Sequence, residues 1–205
     1  NHESIQENRE LEEHFETALE NEEFEIWYQP KYSAHSRKLV GAEALVRWRR
    51  ADGALIPPLK FIPLFERNGN IIRLDEYVFR AVCRQQKEWQ KQGQKMLPVS
   101  VNISRVSLYY SSVVEKYESI IRSFDLDSKY IQLEITESAT IDNNEIFNLL
   151  EQFHTAGFKI LLDDFGSGYS SLAALNRMHF DTIKLDKSLI DYIAVSYTHL
   201  RAHET

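Results

Sequence analysis

A single cysteine, Cys83, stands in 205 residues. One thiol excludes an internal disulfide framework and favours a reducing compartment. Its place in the apolar pattern of a helix over 75–92 marks it as a packed core thiol. Long apolar runs are missing as well: no stretch suffices to span a membrane, and the acidic amino-terminal segment is no signal peptide. A basic surplus is missing too. With 24 Lys and Arg against 31 Asp and Glu, the net charge is −7. This speaks against nonspecific nucleic-acid binding, so an anionic substrate needs locally placed cations or metal. What is present, 43% hydrophobic and 12% aromatic residues, suits one large soluble globular domain. The chain begins at Asn1 rather than Met, which reads as a fragment or processed form.

The most informative stretch is 159–172, KILLDDFGSGYSSL. A short apolar run (Ile160 to Leu162) enters two adjacent carboxylates, Asp163 and Asp164. A glycine loop (Gly166, Gly168) follows, and Ser170 and Ser171 open a helix. This reads as a buried strand, a turn and an N-cap. Carboxylates at the carboxyl end of a buried strand sit where α/β proteins place their chemistry. Two such charges repel, so a cation or a shared proton is expected. Alternatively the pair merely caps a polar turn.

Along the chain, an acidic helix over 5–20 carries Leu11, Phe15, Ala18 and Leu19 on one stripe. A strand over 24–29 stops at Pro30. A second strand over 39–47 holds Glu43 inside the apolar run LVGAEALV, where a carboxylate needs a partner or costs desolvation. A short helix over 61–67 and a long one over 75–92 follow, the latter with Leu74, Val78, Ala81, Val82 and Trp89 inward and Gly93 as its stop. Strands over 99–103, 131–135 and 182–186 alternate with helices capped at Ser112/Glu115 and Asp142/Glu145. Strands alternating with amphipathic helices predict a βα architecture with a parallel sheet.

The polar parity of these strands is the second clue. In an antiparallel sheet it would face water. Where helices cover one face, a barrel interior receives it, and inward residues near the carboxyl strand ends line a mouth. Glu43, Asn102, Glu134, Asp163, Asp164 and Lys184 then converge. Carboxylates with one amide, and only scattered histidines (His14, His35, His154, His179), suit a hard divalent cation such as Mg²⁺ or Mn²⁺ rather than zinc. Two metals sharing a water would serve in-line attack on a phosphodiester. Lys184 then holds that water or neutralises charge on phosphate, or else simply pairs with Asp163 or Asp186.

These residues lie within longer motifs. YQPKY, GAEALVRW, FIPLFERNG, VSVNIS, LEITES, DDFGSGYSSL and TIKLDKSLI stand in order over 22–194. In this the chain resembles the EAL domain, the bacterial cyclic-di-GMP phosphodiesterase family named for the Glu-Ala-Leu at 43–45. The resemblance implies an α/β fold, a modified (β/α)₈ TIM-type barrel. It implies metal-dependent hydrolysis of cyclic di-GMP to linear pGpG with Mg²⁺ or Mn²⁺, two per site. Glu43, Asn102, Glu134 and Asp163 match the metal ligands, and Asp164 the ligand of the second metal. Lys184 matches the lysine on the catalytic water, and Glu137 the glutamate that steadies the loop after the Asp pair. Arg47 matches an arginine near a substrate phosphate; Gln29 and Asp186 match positions on the substrate side. Ser167 stands where Thr is commoner. The implied partners are cyclic di-GMP, a second copy in a homodimer, and an upstream signalling domain such as GGDEF or a sensor. A nucleic-acid polymer is not implied. The implied location is the cytoplasm, or the cytoplasmic face of a membrane-anchored parent.

The end departs from the family. After Ile193 comes AVSYTHLRAHET, which offers neither the seventh nor the eighth strand of the family and lacks its downstream glutamate. The expected organisation is therefore an amino-terminal helix or linker over 1–21, an incomplete EAL domain over 22–194 with about six of eight strands, and a non-family tail over 195–205. On this reading the barrel does not close within the chain, and a poorly soluble, inactive product is expected. A non-catalytic cyclic-di-GMP receptor and an inert fragment of the enzyme stand as alternatives to the phosphodiesterase.

Overall fold

A computed structural model describes residues 2–140, 145–166 and 178–188. The Asp142 cap, the loop carrying Ser167, Gly168, Ser170 and Ser171, and the 195–205 tail lie outside the described residues. The chain runs α1 (His2–Glu20), β1 (Phe24–Tyr32), β2 (Leu39–Arg49), β3 (Leu55–Ile56), α2 (Pro58–Asn68) and α3 (Ile71–Lys91). It continues with β4 (Val99–Asn102), α4 (Arg105–Leu108), α5 (Val113–Ser123), β5 (Ile131–Thr136), α6 (Glu145–Thr155), β6 (Lys159–Phe165) and β7 (Thr182–Leu185).

The sheet order is β1-β2-β4-β5-β6-β7, with β3 hydrogen-bonded to β2 at the side. From β2 through β7 the ladder strands are parallel, and β1 alone lies antiparallel to β2 along it. The α/β class and parallel sheet expected from the alternation are therefore present, and the sheet is an open arc among the described residues. Two local expectations are corrected. Strand β1 does not stop at Pro30 but runs on to Tyr32, with Pro30 paired to Ala42. Among the described residues its neighbour lies on one side only, so the missing proline N–H breaks no bond in the ladder. The Ser112/Glu115 capping box is absent: Ser112 adopts φ 59 and its side chain makes no cap bond.

Register explains the polar parity. Residues paired across neighbouring strands share a face. The pairs Gln29–Glu43, Glu43–Ser100, Asn102–Glu134 and Thr136–Asp163 put the polar set on one concave face. The opposite face carries Ala44, Val101, Leu133 and Leu162, all buried against the helices. Gly41 is required where β2 begins, because a Cβ there would meet the Pro98 carbonyl oxygen at 2.6 Å. The α1 stripe is seen as expected, with Leu11, Phe15 and Ala18 buried. Phe15 meets Phe24 and Phe65, and Trp48 packs edge-on to Phe61 at 5.5 Å, fixing β1, β2 and α2 as one unit.

Candidate functional site

The concave face gathers charge at the carboxyl ends of its strands. Carboxylate oxygens of Glu43, Glu134 and Asp163 all lie within 4.8 Å of one another. Into this triangle reaches the Lys184 ammonium, 3.1 Å from Glu43 Oε2, 3.0 Å from Glu134 Oε2 and 3.1 Å from Asp163 Oδ1. Lys184 thus brings one positive charge against Asp163. Of its two alternative ion-pair partners, Asp163 is the one it meets. Asn102 Nδ2 donates to Glu43 Oε1 at 3.3 Å.

Glu134 is the most enclosed member. Its Oε1 accepts from Lys31 Nζ at 2.7 Å and from Ser100 Oγ at 2.7 Å. Burial works to raise this carboxyl, but the bonds from Lys31 and Ser100 and the two ammonium charges outweigh it and hold it below the ordinary range. Burial likewise pulls the Lys184 ammonium down, yet Glu134 and then Glu43 outweigh it and hold its pKa above the usual lysine value. Lys184 therefore remains a cation and donor across the physiological range, not a base.

Asp164 needs a separate explanation, since consecutive strand residues point to opposite faces. Here the backbone departs from the strand: Asp164 has φ 57, and the β6–β7 register shifts between Leu162 and Phe165. Asp tolerates this left-handed conformation better than most residues, and such irregularities re-aim side chains next to sites. Partial burial first, then the charges of Asp163 and Asp186, raise the Asp164 carboxyl above its ordinary pKa. Glu137, buried in the turn Glu137–Thr140 after β5, accepts the Gly166 N–H on Oε2 at 3.0 Å. It thus grips the loop that leaves the Asp pair. Asp186 follows β7 and accepts the Ser188 N–H at 2.8 Å.

Gln29 is exposed on β1, beside Lys31, Glu43 and Lys184 in a cleft of about 600 Å³. Arg47 lies across the mouth in a second cleft of about 250 Å³ with Asn102, Arg105 and Thr136. Its guanidinium sits 5.5 Å over the Trp27 ring and donates to the Val46 carbonyl at 2.8 Å. A planar fork held this way suits phosphate at the rim. The triad, Asn102 and Lys184 are therefore brought together, while Asp164, Glu137, Gln29, Arg47 and Asp186 surround them.

Sequence reasoning passed over Lys31 and Ser100 as site residues. Both share the parity of Gln29 and Asn102, so the alternation carried the signal. Asp75, on α3, was missed as well. It is buried and accepts from Ser104 N–H at 2.9 Å and Ser107 Oγ at 2.6 Å, fixing the turn just after Asn102. Burial pushes its carboxyl up to about 6, partly offset by those bonds. A carboxyl raised on folding stabilises the fold below its unfolded pKa and loses that contribution as pH rises through the folded value. Between pH 4 and 7, wild-type stability should therefore fall relative to Asp75→Asn by about 2–3 kcal/mol. Urea melts of both proteins across that range test it; parallel pH profiles would rule it out.

The oxygen-rich set fits a hard divalent cation. Three converging carboxylates already hold a cation, the Lys184 ammonium, and Asn102 stands beside them with its amide nitrogen on Glu43.

The family model described as EAL domain matches residues 12–202. The cyclic di-GMP phosphodiesterase PdeR of Escherichia coli is 38% identical over 174 residues, covering 84% of this chain and 26% of that protein. The bifunctional diguanylate cyclase/cyclic di-GMP phosphodiesterase MucR of Pseudomonas aeruginosa is 34% identical over 178 residues, 86% of this chain and 26% of that one. The chain thus spans about a quarter of the length of these relatives. The solved structure of the PaMucR phosphodiesterase in complex with c-di-GMP superposes with a TM-score of 0.83 at 33% identity, covering 90% of this chain and 75% of that one. With the family model matched along most of its length and the same fold in a relative of this similarity, the chain belongs to the EAL domain family of cyclic-di-GMP phosphodiesterases.

Proposed function

We propose that the full-length protein to which this domain belongs hydrolyses cyclic di-GMP to linear pGpG in a reaction that requires Mg²⁺ or Mn²⁺. The observation that carries the reading is the convergence of Glu43, Glu134 and Asp163 on one point at the mouth of the concave face. Glu43, Asn102, Glu134 and Asp163 would hold one ion, and Asp164 would contribute to a second. Bound there, such ions supply a Lewis acid for the phosphodiester oxygens and a more acidic water. Lys184, held as a cation, would steady the attacking water and offset negative charge developing on phosphate. Arg47 and Gln29 orient the dinucleotide from either side. Water oxygen bonds to phosphorus, one bridging P–O bond breaks, and the departing ribose oxygen takes up a proton. One cleavage opens the ring and leaves a linear dinucleotide.

Incubation of the full-length parent protein with cyclic di-GMP and Mn²⁺, with products separated by chromatography, tests the activity. Accumulation of pGpG supports it. Tight binding without product favours the receptor alternative instead.

Glu137 is a positioning residue on this account. Glu137→Ala releases Gly166 and should weaken Mn²⁺ affinity and turnover about tenfold to a hundredfold, the scale for groups that orient metal ligands. The fold should remain. Unchanged Mn²⁺ titration and turnover would remove its role.

Among the relatives, MucR is named a bifunctional diguanylate cyclase/cyclic di-GMP phosphodiesterase and YkoW of Bacillus subtilis a signaling protein. An upstream signalling domain, a homodimer and a cytoplasmic location are proposed for this protein on that footing. Among the described residues no helix is long and apolar enough to cross a membrane.

A further inference from the structure

Two histidines that lie far apart in the chain meet at the opposite end of the strands. His154, near the end of α6, and His179, just before β7, stack with ring centroids 4.7 Å apart and planes 27° apart. Glu151 stands one helical turn before His154 on α6. Ligand atoms of Glu151, His154 and His179 lie within 4.8 Å of one another. This is a nitrogen-rich set, unlike the oxygen set around Glu43.

The orientation of the His154 ring is fixed by its surroundings. Its Nε2 is 2.9 Å from Asp181 Oδ2, so Nε2 carries the proton and donates it. Asp181 is itself anchored, accepting the Ile160 N–H at 2.8 Å and Lys159 Nζ at 3.1 Å. On the other side of the ring, Nδ1 is buried with no hydrogen-bond partner among the described residues. Packing accounts for the bond to Asp181. It does not account for an unsatisfied nitrogen facing away from it, since buried polar atoms are seldom left unpaired. A carboxylate that orients an imidazole so that its other nitrogen binds metal is a recurrent support of zinc sites. A glutamate and a histidine three residues apart on one helix face can share one ion.

We propose that Glu151, His154 and His179 form a second, separate site for a borderline divalent transition ion, Zn²⁺ foremost, with Asp181 as the positioning carboxylate. Two imidazoles and one carboxylate leave a position for water in a four-coordinate ion. The site ties the end of α6 to the segment entering β7 at the amino ends of the strands, away from the Glu43 cluster. Its role there is to brace the fold.

The test uses metal-stripped full-length chain carrying Glu43→Ala, so that the oxygen site is weakened. Calorimetric titration with Zn²⁺ should show one equivalent bound, and Co²⁺ should give the intense visible band of a four-coordinate ion. Adding His179→Ala should weaken Zn²⁺ binding at least tenfold and abolish that band, and Glu151→Gln should also weaken binding. Both positions are exposed, so either variant retains a folded domain. Absence of zinc binding in the Glu43→Ala chain would overturn the proposal. So would equal zinc binding with and without His179.

Discussion

Replacing Glu43 with alanine in the full-length parent abolishes cyclic di-GMP hydrolysis, with a loss of at least about 10³-fold in kcat, equivalent to about 4 kcal/mol of transition-state stabilisation. Glu43 contributes one of the three converging carboxylates and is the only one of them bonded to Asn102 among the described residues. Its removal takes a ligand from the cation and leaves the amide without its partner. The fold is not at stake. Glu43 is half-buried, and after its removal Lys184 keeps Glu134 and Asp163 as partners, so the lost ion pair is largely compensated. Circular dichroism and the melting temperature should stay close to the parent. Parallel assays of parent and Glu43→Ala check this, and a variant that turns over normally would remove Glu43 from the machinery.

Glu134→Gln makes the same change in charge yet should behave differently. Glu134 is buried and holds two ammonium groups, Lys31 at 2.7 Å and Lys184 at 3.0 Å. The neutral amide leaves both cations poorly paired, and its NH₂ group faces donors. Breaking a buried pair costs about 3–5 kcal/mol. The two lysines keep partial access to water, so about 2–3 kcal/mol is expected here. Urea melts of the metal-free variant should show this loss, together with loss of turnover, whereas Glu43→Ala shows only the second. Equal stability of Glu134→Gln and the parent would mean that Lys31 and Lys184 are solvated rather than held.

The contrast between these two glutamates marks how far sequence carries. Both were legible as polar residues interrupting apolar strands, because period-two alternation identifies a face. Parity also explains why Asn102, Asp163 and Lys184 could be grouped: a parallel register turns distance along the chain into adjacency. What alternation cannot give is degree of burial. Ser100 and Lys31 share the parity of the site, and only three-dimensional packing shows that they enclose Glu134. Nor does alternation allow Asp163 and Asp164 to serve one site, and that needed the left-handed turn at Asp164. Pro30 misleads for a related reason. Proline ends a strand only when its missing N–H has a partner to lose, and β1 has no neighbour on that side among the described residues. The pairing of His154 with His179 was hidden altogether, since neither lies in a local motif and the contact exists only once α6 and β7 are placed.

The account rests on a divalent cation held by Glu43, Asn102, Glu134 and Asp163, and metal add-back tests that most directly. Full-length parent protein stripped with a chelator should leave cyclic di-GMP intact over hours. Stepwise addition of Mn²⁺ or Mg²⁺ should restore pGpG formation in a saturable way, and Glu43→Ala should respond to neither ion. Undiminished hydrolysis by the stripped protein would contradict it.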